Sequence, residues 1–141
     1  MTPRPPAAVL AAVAACAAIV AGCAPTTASK TDLSKFSGPQ RQVAQAITDL
    51  QTAANDDDGA RICRSLLARS LAQRLASRGR GCPAVVHDAI RDADSLDMTV
   101  QSVRVGGQRA TARVRLETGK KDRFMNLPLV LEAGTWRIAG R

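Results

Sequence analysis

The chain has 141 residues, 45% of them hydrophobic and 23% charged, with a formal net charge of +8, which is the size of one domain. Two Phe, one Trp and no Tyr supply too few ring platforms for single-stranded nucleic acid to be bound by base stacking. One His and four Cys could form a transition-metal site only if most of the Cys remain free thiols.

Arg4 is the only charge before Lys30, and Ala7 to Val20 is built from Ala, Val, Leu, Ile and one Cys. A basic start, an apolar run of that length and small residues at its end are the three parts of a secretory signal. The run is too short and too rich in Ala to span a bilayer as a permanent helix. Its end, Val20-Ala21-Gly22-Cys23, resembles the lipobox of bacterial lipoproteins. That resemblance implies that Cys23 receives a diacylglyceryl group and becomes the first residue of the mature chain. A plain secretory signal, cut after a small-residue site, is the competing reading. Two acyl chains give stable membrane anchoring where one is marginal. The expected location is the cell membrane, lipid-anchored on its extracytoplasmic side, where disulfides persist. Residues 1–22 are thus read as signal peptide, and cleavage also removes Arg4 and Cys16. Excess Arg over Lys and abundant Ala point to a GC-rich genome of actinobacterial type.

Residues 23–38 are rich in Pro, Thr, Ser, Ala and Lys and are expected to form a flexible tether. Its segment from Ala24 to Gly38 reaches about 50 Å when fully extended. The folded domain is expected over 39–141. Pro39 suits the first turn of a helix, and Val43, Ala46, Ile47, Leu50 and Ala54 recur at helical spacing. Asn55-Asp56-Asp57-Asp58-Gly59 breaks that helix and offers capping carboxylates to the next. The spaced ligands and closing Glu of a calcium loop are missing there.

The second helical region runs from Gly59 to about Ser77. Ile62, Leu66 and Leu67 form one stripe and Leu71 and Leu75 another, which predicts a break near Arg69-Ser70. Arg78-Gly79-Arg80-Gly81 ends it, and Cys82-Pro83 starts a third helix through Val85, Val86, Ala89 and Ile90. Once Cys16 leaves and Cys23 carries lipid, Cys63 and Cys82 are an even pair in an oxidising space and are expected to bond. No metal site or cofactor is expected.

Beyond Asp94 the period changes to two. Ala112, Val114 and Leu116 alternate with Arg113, Arg115 and Glu117; Leu127, Leu129 and Leu131 alternate likewise, as do Trp136 and Ile138. These are strands, separated by turns at Gly106-Gly107, Gly119 to Asp122 and Ala133-Gly134. Turns centred on those residues pair Val103 with Ala110, Leu116 with Met125, Val114 with Leu127, Ala112 with Leu129, Leu131 with Trp136 and Leu129 with Ile138. All then share one face, as a sheet buried on one side requires. Met98 and Val100 fall out of phase, which predicts a bulge near Gln101-Ser102. Pro128 sits awkwardly in a central strand, since it lacks a ladder donor.

Helices followed by an antiparallel meander of about four strands give an α+β fold. Asp56-Asp57-Asp58, Cys63 to Leu66, Cys82 and Thr135 to Ile138 resemble their counterparts in small actinobacterial lipoproteins of the NTF2-like superfamily. The resemblance implies a cone, in which a curved sheet wraps N-terminal helices. Enzymes of that superfamily line the cone with Asp, His or Tyr. Here the only candidates are His87, beside Asp88, and Asp97 near the first strand; neighbouring helical positions point about 100° apart and form no ready dyad. A non-catalytic binding or interaction domain is therefore expected, without nucleic acid as a partner. Arg104, Arg109, Arg113, Arg115 and Arg137 project from the face opposite the core. They form a candidate contact surface for an envelope protein or an anionic surface, and a homodimer through Val130 and Phe124 is a further option. The alternative is a carrier of small apolar ligands, or a degenerate enzyme, using the cone interior; an apolar cavity inside the cone would mark it.

Overall fold

The computed structural model describes residues 30–93, 96–118 and 121–140. The signal region, Cys16 and Cys23 lie outside them. Helix α1 spans Gly38–Asn55, with Pro39 in its first turn and Ser37 at its cap position. Helix α2 (Gly59–Arg61) is capped by Asp58, whose carboxylate accepts the Arg61 N–H at 2.9 Å. The aspartate-rich turn thus caps, as its residue types predict.

α2 runs on into one π-helical stretch, Ile62–Leu66, and there the helix stops. Leu67 and Ala68 are extended, and helix α3 resumes at Arg69–Ala76. The predicted break exists, two residues earlier than expected. Its cause is tertiary: the Ala68 N–H donates to Ile138 O at 2.8 Å, and Leu67 bridges Ile138 in parallel. Two residues of the helical region serve as a short extra strand. Helix α4, Cys82–Arg91, starts at the second cysteine, and Cys63 and Cys82 are joined in a disulfide with a Cα–Cα distance of 6.1 Å.

The sheet comprises β1 (Asp97–Gly106), β2 (Arg109–Thr118), β3 (Lys121–Glu132) and β4 (Thr135–Ile138), antiparallel in the order β1-β2-β3-β4. The last hairpin pairs as predicted, Leu131 with Trp136 and Leu129 with Ile138. Its turn residues Ala133 and Gly134 both have positive φ, the requirement of a type I′ hairpin turn.

The other two registers are displaced by two residues. Val103 pairs with Ala112, Val114 with Met125, Ala112 with Leu127 and Leu116 with Arg123. In the first hairpin the two-residue turn is Gly107-Gln108, because Gly107 (φ 58°) supplies the positive φ that a tight hairpin needs at its first central position,. In the second, Thr118 pairs with Lys121, which moves the turn to Gly119-Lys120, outside the described residues. A slip of two leaves each side chain on its original face, because the side-chain period is two. The face assignments therefore survive. The bulge falls where the phase shift predicts: Val100 pairs with Val114 and Ser102 with Arg113, leaving Gln101 between them.

Pro128 is resolved by direction. Leu131 N–H donates across to Gln108 O, whereas Pro128 O accepts from Ala139 N–H on the opposite side. Neighbouring residues in a strand point their N–H and C=O groups to opposite edges. The missing donor of Pro128 thus faces the end of β4, and the β2 ladder loses nothing.

α1 lies across β1, with further contacts to β4 and β2. Val43, Ile47, Val114 and Leu129 fill the interior almost without solvent access. Ile62 and Trp136 are also buried there, with Leu127 packed against them. Gln51 of α1 is a buried polar residue: its Oε1 accepts the Met98 N–H at 3.4 Å, and its Nε2 reaches Asp97 at 3.5 Å. Gln51→Ala removes the acceptor of a buried amide and is expected to cost about 1–3 kcal/mol, read as a lower denaturant midpoint with an unchanged slope.

Lys30 to Phe36, inside the stretch expected to be tether, lies along the edge of β1. Thr31 is buried and its hydroxyl accepts the Val100 N–H at 3.1 Å. Asp32 caps a short 3-10 turn, Leu33–Lys35, through the Ser34 N–H and hydroxyl. Ordered chain therefore begins well before Pro39.

Candidate functional site

Elongated strands place the five predicted arginines on the outer sheet face, yet the structure divides them. Arg104, Arg109 and Arg113 are exposed. Arg115 and Arg137 are partly covered and engaged. Arg115 donates to Glu117 at 2.8 Å and lies 3.5 Å from Asp122. Arg137 reaches back to the carbonyls of Arg64 (2.9 Å) and Leu67 (3.4 Å), with Glu132 at 3.7 Å. It satisfies carbonyls at the end of the π-helical stretch and fixes the helix break to β4, so it belongs to the framework rather than to the open surface.

Arg104 and Arg109 lie at the β1–β2 turn, and among the described residues no ion pair holds either. Arg113 sits over the Phe124 ring, 5.1 Å from its centroid, a cation–π contact. Phe124 (56% exposed) and Met125 (40%) are the large hydrophobic residues left open to solvent. Met125 was expected in the core; the first half of β3 extends beyond the helices, so both of its faces meet water.

Lys30 bonds Glu117, which also binds Arg115. The hydrogen bond from Lys30 holds the Glu117 carboxyl below its ordinary value, and the same bond raises the Lys30 ammonium. For Glu117 the stabilising contribution is present above the ordinary carboxylate range and is lost as pH falls through the lowered value. For Lys30 it is full below the ordinary lysine value and is lost as pH rises through the raised one. Acidification below the carboxylate range should therefore release Lys30 to Phe36 from β1. The check is amide exchange at Val100, corrected for intrinsic rates: its protection drops in acid while that of Val114 persists.

The cone interior is occupied by the core side chains already described. A hollow of about 570 Å³ lies between the flank of α1 and the β3–β4 turn, with Ala46, Leu66 and Trp136 below and Arg41, Gln42 and Asp49 around it. Neither its polar rim nor its position was visible in the sequence, since Arg41 and Thr135 lie on distant elements. His87 Nε2 is 3.1 Å from Asp57 and its Nδ1 is 3.9 Å from Asp88; the aspartate-rich turn, rather than its chain neighbour, is its nearer partner. Asp97 lies between Gln51 and Lys30 at the sheet end and lines none of the described hollows. Among the described residues no cluster of three His, Cys, Asp or Glu side chains could hold a metal.

No protein-family model matches the sequence, and no curated protein matches it either. Among solved structures, the chain is similar to the de novo designed NTF2 fold protein NT-9, with a TM-score of 0.52 and 13% identity over 74% of this chain and 87% of that one. The fold is NTF2-like. A candidate NTF2-like transpeptidase from Campylobacter jejuni aligns at a TM-score of 0.49 and 16% identity, over 74% of this chain and all of that one. An NTF2-like protein of unknown function from Silicibacter pomeroyi aligns at 0.35 and 20%, over 67% and 92%. At 13% identity to the designed protein the NTF2-like architecture is what is shared, and activity does not follow from it,.

Proposed function

We propose that the chain is a membrane-anchored lipoprotein of the bacterial cell envelope whose NTF2-like domain is a non-catalytic interaction module. The observation that carries the anchoring is Val20-Ala21-Gly22-Cys23 directly behind an apolar run. The interaction reading is supported by the packing of the cone, where Val43, Ile47, Val114 and Leu129 are almost without solvent access. A carrier or degenerate enzyme using that interior finds no support in this packing.

The contact surface is the open part of the basic face, Arg104 and Arg109, and the partner is an acidic envelope protein. Charge of one sign on a flat face steers encounter with the opposite sign. In cells, Cys23→Ser is expected to move the protein from the membrane to the soluble fraction. Arg104→Glu with Arg109→Glu, made in the anchored protein, is expected to abolish capture of the envelope partner by in-cell crosslinking without changing the fold. Capture at wild-type levels would remove this face as the contact surface.

A further inference from the structure

We infer that the first half of β3, with Arg113 beside it on β2, is a docking surface for an anionic lipid bilayer that holds the domain edge-on to the membrane. The inference rests on the reading of Cys23 as the anchored residue, and it adds an orientation and a second point of attachment.

Reach comes first. Lys30 is fixed to Glu117, and Thr31 to Val100, so the chain separating the proposed anchor from the fold is shorter than 23–38. From Cys23 to Lys30 a fully extended chain covers at most about 25 Å. Glu117 pairs with Asp122 one step from the hairpin turn. Lys30 thus meets the fold at this end of the sheet, which lies within that distance of the anchored residue. The β1–β2 turn, with Arg104 and Arg109, lies at the far end of β2, roughly 30 Å away at the rise of a strand.

The chemistry of this half of β3 fits a lipid surface. Between Arg113 and Arg123 the sequence holds five basic and two acidic residues. Both acidic ones, Glu117 and Asp122, are already engaged by Arg115, and Glu117 also by Lys30. Arg123 and Arg113 are exposed beside the two open hydrophobic residues, Phe124 and Met125. A hollow of about 310 Å³ lined by Arg113, Phe124, Met125 and Asn126 offers a cation and an amide to a phosphate. Basic residues near anionic headgroups with an aromatic and a flexible apolar side chain at the acyl boundary are the two components of interfacial binding.

The backbone adds a third component. β4 pairs only with Leu129 to Glu132, so the first half of β3 is an open edge. By the alternation that places Pro128 O toward β4, Asp122, Phe124 and Asn126 turn their N–H groups to that edge. The other edge of the sheet is closed by Thr31, Gln40 and Gln51. Phosphate oxygens can accept the N–H groups of β3, whereas an exposed edge in water invites strand pairing.

The test uses the protein purified from its own membranes and reconstituted into vesicles of phosphatidylcholine, alone or mixed with phosphatidylglycerol. Amide exchange over Arg123 to Leu127 is expected to slow by about tenfold on the mixed vesicles only, and high salt should reverse it. Arg123→Glu with Phe124→Ser should abolish the slowing while exchange at Val114, in the core, stays unchanged. Equal exchange on both vesicle types overturns the proposal. So does slowing that needs no lipid and grows with protein concentration, which marks pairing of β3 with a second copy. The mass of the Cys23 peptide in the same sample reports the anchor separately. Protein without acyl chains must still float with phosphatidylglycerol vesicles in low salt, and failure to float overturns the docking surface.

Discussion

Trp136→Ala is expected to destabilise the domain by about 3–5 kcal/mol, the cost of emptying a large buried aromatic site. Trp136 is 4% exposed and stands where three parts of the fold meet. On β4 it pairs with Leu131, it lies beneath the flank of α1 next to Leu66, and its chain neighbour Arg137 holds the carbonyls of the π-helical stretch. A cavity here loosens the sheet and the helix break together. Chemical denaturation followed by far-UV circular dichroism should show one transition at a much lower midpoint. Trp136→Phe should recover most of the loss, because it refills the site and leaves no buried indole N–H to satisfy. A loss under 1 kcal/mol for Trp136→Ala would mean that the β3–β4 hairpin is not part of the cooperative core.

Removing the disulfide with Cys63→Ser and Cys82→Ser is expected to cost about 3 kcal/mol, from the chain entropy that a cross-link of this span removes from the unfolded state. The sequence separation is 19, so most of that effect is loop closure. The bond also ties the π-helical stretch to the start of α4, a helix that packs against α2 and α3 as well. Cys82 is 5% exposed, and a serine hydroxyl there brings a further desolvation cost. Wild-type protein treated with reductant should therefore be slightly more stable than the double-serine variant, and both should melt below the oxidised protein. Identical melting of oxidised and reduced wild type would contradict a bonded pair.

How far the sequence alone carried this fold follows from range. Local signals were readable: Pro39 in the first turn of α1, the Asp58 cap, the bulge at Gln101, and Ala133-Gly134 as a tight turn. Each depends on residues within a few positions of one another. The two displaced registers show the limit, since Gly106-Gly107 and Gly119 to Asp122 each permit several turn centres, and only the backbone selects one. Face assignments were robust because a slip of two preserves them. Long-range features were not readable. Lys30 meets Glu117 87 positions away, and Arg137 meets Arg64 73 positions away; nothing in local composition marks either pair. That is why residues 30–36 read as tether although they pack on the fold, and why five arginines looked like one surface when two of them are framework.

The edge of β3 was invisible for another reason. Leu127 and Met125 obey the same alternation as the core positions, and only the extent of the helices over the sheet decides which of them is covered. β4 spans Thr135–Ile138 and stops there, so the first half of β3 has no partner strand. The same half of β3 extends beyond the helices, which leaves Met125 open on the inner face, while Phe124 points from the outer one.

The proposed membrane anchor depends on Cys23, and one measurement addresses it directly. Intact-mass spectrometry of the protein purified from its own membranes should give a mature chain that starts at Cys23 and carries the added mass of a diacylglyceryl group. A chain starting at any other residue, or an unmodified Cys23 at the N-terminus, would contradict the anchor and return the protein to a freely secreted state.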